Sequence, residues 1–110
     1  MKVNYDEQAN RYEETRNVIP LVYSTLIAII KPKANEKILD FGCGTGNYLL
    51  KLTTDYNIIP YGVEPSSVMR KIAAQKNPSA TIVEGNHEAI PINIQFDSIY
   101  CTDVIHHIDN

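Results

Sequence analysis

Three glycines at alternate positions constrain this chain more than any other feature. In LDFGCGTGNY, residues 39–48, Gly42, Gly44 and Gly46 account for three of the five glycines in the sequence. Backbone freedom is concentrated in one turn, which follows a strand-like run, KILDF, and opens a helical one, NYLLKLTTD. Asp40 stands two residues ahead of the first glycine. The pattern Asp-x-Gly-x-Gly-x-Gly differs from the Gly-x-Gly-x-x-Gly spacing of a dinucleotide turn, which has no use for a carboxylate facing a pyrophosphate.

The rest of the chain supplies the frame for that turn. IIPYGVE, ATIVE and FDSIYC are further strand-like runs, and SSVMRKIAAQK has helical spacing. Strand, helix, strand, helix, strand, loop, strand predicts an α/β fold with a parallel sheet and right-handed crossovers. Before the first strand, Val22, Leu26, Ile29 and Ile30 are spaced for an amphipathic helix, with Pro20 in its first turn and KPKAN as its stop. NYDEQANRYEETR, further upstream, reads as a more polar helix or flap, with Tyr5 and Tyr12 on one face. The expected organisation is one domain over 1–110, a helical flap at 1–33 and a core at 34–110.

Composition removes several classes of function. A net charge of -3 offers no basic field for nucleic acid. The apolar stretch from Val18 to Ile30 is interrupted and shorter than the ~20 residues of a bilayer span. Cys43 and Cys101 are far apart, with no signal peptide ahead of them, and read as reduced thiols in a cytoplasmic protein.

In parallel sheets ligands sit beyond the carboxyl ends of the strands. Those ends carry Asp40 to Gly46, Glu64, Glu84 to Glu88 and Cys101 to Asp103. A helix starting near Asn47 favours an anionic group. Glu64 follows Gly42 by 22 residues, the separation at which an acidic side chain accepts from ribose hydroxyls. A nucleoside with an anionic arm fits both, and a cation on the same arm would face Asp40. S-adenosylmethionine is such a ligand. Taken singly, Glu64 also reads as a solvated turn carboxylate, Cys43 as a small filler, and Asp103 with His107 as a metal pair lacking a third ligand, so no metal is expected.

These residues resemble the class I S-adenosylmethionine-dependent methyltransferases, particularly those of ubiquinone and menaquinone biosynthesis. Five ordered segments carry the resemblance: YDEQANRYEE is similar to the N-terminal flap, ILDFGCGTG to the glycine turn, YGVEPSSVM to the ribose turn, EGNHEAIP to the adenine loop, and FDSIYCTDVIHHI to the fourth strand and the segment after it. The resemblance implies a Rossmann-like three-layer sandwich in which strands 3-2-1-4 of the family order 3-2-1-4-5-7-6 are present and the rest are missing.

It implies site residues as well. Asp40 and Gly42 border the methionine end of S-adenosylmethionine, with Cys43, Gly44 and Gly46 completing the turn; Glu64, next to Pro65, holds the ribose. Asn86 and His87 border adenine, where relatives commonly have Asp in place of Asn86, and Cys101 and Thr102 pass under the sulfonium. Tyr12 closes over the site. The implied activity is methyl transfer to a small-molecule acceptor, leaving S-adenosylhomocysteine, with His106 or His107 as candidate bases. The alternatives are a noncatalytic nucleoside-binding module, an inactive fragment of a longer enzyme, or an NAD-dependent oxidoreductase. An open fourth-strand edge would favour a homodimer.

Overall fold

The computed structural model describes residues 18–85 and 93–102. Helix α1 (Pro20–Ile30) begins on a proline, whose fixed φ suits a first turn, and ends at Lys31 in a left-handed conformation. Strand β1 (Lys37–Phe41), helix α2 (Asn47–Tyr56), strand β2 (Ile59–Val63), helix α3 (Ser67–Lys76), strand β3 (Thr81–Val83) and strand β4 (Ser98–Tyr100) follow. Asn57 ends α2 in the left-handed region that asparagine tolerates better than most residues, and Ser66 caps α3 by accepting from the Met69 N–H.

All strands are parallel, in the order β3-β2-β1-β4. Ile38, Leu39 and Asp40 are all buried, the continuous pattern of a central parallel strand rather than the alternation of a half-exposed one. Asp97 sets the start of β4: its Oδ2 accepts from the Lys37 N–H at 2.8 Å while its own N–H donates to the Lys37 carbonyl.

Register sorts the side chains into two faces, because in-register partners of a parallel pair point the same way. Ile38, Asp40, Gly62, Ile82 and Tyr100 share one face. On it Ile38 and Tyr100 pack with Tyr23 and Leu26 of α1 and with Tyr48 and Leu52 of α2. Nearby, Ile82 packs against Cys43, Leu49 and Ala73, bringing in α3. Right-handed crossovers that move steadily outward from β1 to β3 put their helices on one side. The described helices thus cover one face, and the described residues build two of the three expected layers. On the other face Tyr61 meets Phe96 edge-on at 5.1 Å.

The packed stripe of α1 differs from the one expected from its apolar residues. Tyr23 and Leu26 are buried, with Ile27 and Ile30 beside them, whereas Ile29 is 73% exposed. Tyr23 takes the inward position because its ring joins the core while its hydroxyl reaches Asp55 of α2 at 2.8 Å.

Candidate functional site

At the end of β1 the chain turns through Gly42, Gly44 and Gly46 with φ of 77°, 57° and 82°. Only glycine adopts such angles without strain. The turn hooks over the neighbouring strand, since the Gly42 and Cys43 N–H groups both donate to the Val63 carbonyl, at 2.8 and 3.0 Å. At Gly46 a second constraint applies: a Cβ there would sit 2.5 Å from Asn77 Nδ2 and 3.2 Å from the Ala73 Cβ. Asn77 uses this contact, its buried amide donating to the carbonyls of Gly46 and Ala73. Gly46 also precedes α2 as its N-cap, with no side-chain cap bond. Lys76 Nζ donates to Asn47 Oδ1 beside that helix start.

Glu64, just past the end of β2, is 6% exposed and bound at both oxygens. Oε1 accepts from the Gly44 N–H and Oε2 from the Ser66 N–H, each at 2.9 Å. The acidic residue and the glycine turn, 20 residues apart, form one unit. Each oxygen of a carboxylate has two lone pairs, so acceptor capacity remains on both.

Asp40 lies under the turn, 1% exposed, in register with Tyr100 of β4 and Gly62 of β2. Burial pushes the Tyr100 phenol well above the ordinary tyrosine range, and the Asp40 carboxylate pushes it the same way. Tyr100 stays protonated, and its O–H dipole can stabilise the negative charge of Asp40.

Beyond β4, Cys101 Sγ would lie 4.0 Å from a Cβ at Gly42, so the fourth strand exit closes on the glycine turn. Cys101 and Thr102 also line a mostly apolar groove of about 320 Å³ whose other wall is α1, at Leu21, Val22, Thr25 and Ile29. Cys43 is buried where Gly62 leaves room, a Cβ at Gly62 meeting its Sγ at 2.8 Å.

Asp40, Gly42, Cys43, Gly44, Gly46, Glu64, Pro65, Cys101 and Thr102 therefore gather at the carboxyl edge of the sheet. Tyr12, Asn86, His87, His106 and His107 lie outside the described residues, as do Tyr5 and Asp103. Among the described residues no three His, Cys, Asp or Glu side chains are grouped to hold a metal ion. Three residues escaped the sequence reading. Tyr100 could have been flagged as a hydroxyl on an interior strand, and Arg70 as a cation in the first turns of a helix, against its dipole. Nothing in the local pattern marks Asn77.

Comparison with known proteins adds the family. Residues 39–110 match the family described as "Methyltransferase domain". An uncharacterized methyltransferase of Anoxybacillus flavithermus is 34% identical over 106 residues, covering 96% of this chain and 50% of that protein. The chain spans about half the length of the curated relatives it matches. Among solved structures, a TehB-like SAM-dependent methyltransferase from Corynebacterium glutamicum superimposes with a TM-score of 0.70 at 24% identity, over 96% of this chain and 56% of its own. A SAM-dependent methyltransferase from Thiobacillus denitrificans, in complex with S-adenosyl-L-homocysteine, gives 0.68 at 19% identity, over 92% and 44%. The fold is that of these enzymes, and by the family match and the curated relatives this chain belongs to the methyltransferase-domain family.

Proposed function

We propose that the chain is the cofactor-binding part of a cytoplasmic methyltransferase that uses S-adenosylmethionine and acts on a small-molecule acceptor. The observation that carries this reading is the bond from the Gly44 N–H to Glu64 Oε1, which joins a ribose-type acid to an anion-type turn. Open space beside the turn supports it, since a Cβ on Gly44 would meet nothing within 4 Å. When bound, S-adenosylmethionine supplies a sulfonium methyl as the electrophile.

The chain's residues then have separable tasks. Glu64 accepts from the ribose hydroxyls with its remaining lone pairs, next to Pro65. The start of α2 receives the carboxylate of the methionine arm, while the turn at Gly42, Cys43, Gly44 and Gly46, whose own N–H groups are spent within the protein, lets the arm approach the backbone and Asp40 counters its ammonium. Cys101 and Thr102 form the wall under the sulfonium, and the adjoining groove along α1 offers an apolar approach for the acceptor. Asn86 and His87 are proposed at the adenine, Tyr12 as a cover, and His106 or His107 as the base if the acceptor must lose a proton. Asp40 and the glycine spacing both disfavour a dinucleotide.

Photolabelling with methyl-tritiated S-adenosylmethionine tests the reading without knowledge of the acceptor. Label is expected in the chain, displaced by excess S-adenosylhomocysteine and not by NAD. Displacement by NAD alone would refute it.

A further inference from the structure

Arg70 is the fourth residue of α3, near the positive end of the helix dipole, where a carboxylate would be the favourable side chain. Its contacts account for its position. Nη1 donates to the Glu64 carbonyl at 3.0 Å and to the Pro65 carbonyl at 2.9 Å, and lies 3.7 Å from Glu84 Oε2. These partners belong to two different loops, one leaving β2 and the other leaving β3. Glu64 in turn takes the Gly44 and Ser66 N–H groups on its side chain. A continuous set of contacts thus runs from Glu84 through Arg70 and Glu64 to the glycine turn, and so spans the ends of β3, β2 and β1.

The parts of this set are unequal in weight. Glu84 is 75% exposed, and an ion pair so open to water contributes little. The two carbonyl bonds are charge-assisted, reach a half-buried guanidinium, and fix two successive peptide planes. The first of them, between Glu64 and Pro65, borders the Glu64 Cα and so constrains the direction in which its side chain leaves the backbone. A carboxylate that must serve the Gly44 and Ser66 N–H groups and two ligand hydroxyls at once tolerates little rotation, because hydrogen bonds weaken steeply off-line.

We infer that Arg70 is a positioning residue for the ribose site: by clamping the Glu64 and Pro65 carbonyls it holds the Glu64 carboxylate where nucleoside hydroxyls can reach it. This rests on the cofactor reading above. Arg70 touches no ligand atom in this scheme, and its effect passes entirely through Glu64.

A double-mutant cycle separates this from a merely structural role. Isothermal titration of the full chain with S-adenosylhomocysteine is run on wild type, Arg70→Met, Glu64→Gln and the double variant, each checked for native circular dichroism. Arg70→Met should weaken binding by about tenfold, the consequence of misplacing one charge-assisted partner. Once Glu64 is Gln, the same substitution should cost less than about twofold, since contacts acting through one residue are not additive. Glu84→Gln should leave affinity within about twofold. Should Arg70→Met not fold, Arg70→Lys, which keeps the charge and loses the fork, takes its place in the cycle with a smaller coupled loss. Equal affinity of wild type and Arg70 variant, or losses that add fully across the cycle, would overturn the inference while leaving the cofactor reading intact. Failure of the wild-type chain to bind S-adenosylhomocysteine would instead overturn the cofactor reading itself.

Discussion

Gly44 and Gly46 share a left-handed backbone but differ in their surroundings, and the difference separates binding from folding. A Cβ at Gly46 would collide with Asn77 and crowd Ala73, while one at Gly44 would enter open space beside the Glu64 carboxylate. Gly46→Ala should therefore destabilise the fold by about 2–4 kcal/mol, backbone strain and overpacking together. Gly44→Ala should cost only the strain, about 1–2 kcal/mol. Its larger effect should fall on S-adenosylhomocysteine affinity, because the methyl group occupies the space proposed for the ligand. Urea melts and titration of both variants check this, and a Gly44→Ala protein that binds normally would contradict the assignment of that space. At this scale the placement of much of the candidate site was legible. Asp40, the three glycines and Glu64 can be recognised because each sits at a strand end whose position follows from local pattern. Asn77 and Arg70 could not be assigned roles that way, since their partners become neighbours only after α3 packs against the sheet edge.

Helices α1 and α2 are joined by a polar cluster at the surface of an otherwise apolar contact. Tyr23 donates to Asp55 Oδ2 at 2.8 Å, Lys51 Nζ lies 3.4 Å from the same oxygen, and the Lys51 ammonium sits 5.0 Å from the Tyr23 ring centre. The hydrogen bond from Tyr23, aided by Lys51, lowers the Asp55 carboxyl below its ordinary 3.8. A carboxyl lowered in the folded state adds stability that is present above 3.8 and is lost as pH falls through the lowered value. Tyr23→Phe should melt below wild type near neutral pH, and the gap should close as pH falls through the lowered Asp55 value. A gap that does not change with pH would remove Asp55 from the contact. The element boundaries were mostly visible in sequence, β1 over Lys37–Phe41 and the start of α2 at Asn47 among them. The inward face of α1 was not. Counting apolar residues favours Ile29 over Tyr23, and only the presence of Asp55 on a helix 32 residues away makes a tyrosine the better inward residue.

For the molecule as a whole, the described sheet is finished on one side and open on the other. Helices cover the face bearing Ile38 and Tyr100, whereas Ile99 on the opposite face is 57% exposed and β4 has no outer partner among the described residues. Unpaired strand edges beside apolar surface template association with another chain. The isolated chain is expected to self-associate with rising concentration in size-exclusion chromatography with light scattering, and Ile99→Lys to suppress it. A wild-type chain that stays monomeric at high concentration would contradict this.

The identity of the ligand is the central claim, and isothermal titration of the chain with S-adenosylhomocysteine and, separately, with NAD tests it most directly. Saturable binding of S-adenosylhomocysteine at one site per chain, with no heat from NAD at the same concentrations, is the result expected of an edge built from one uncapped helix start and the two carboxylates of Asp40 and Glu64. NAD binding more tightly than S-adenosylhomocysteine, or neither binding to a folded chain, would contradict it.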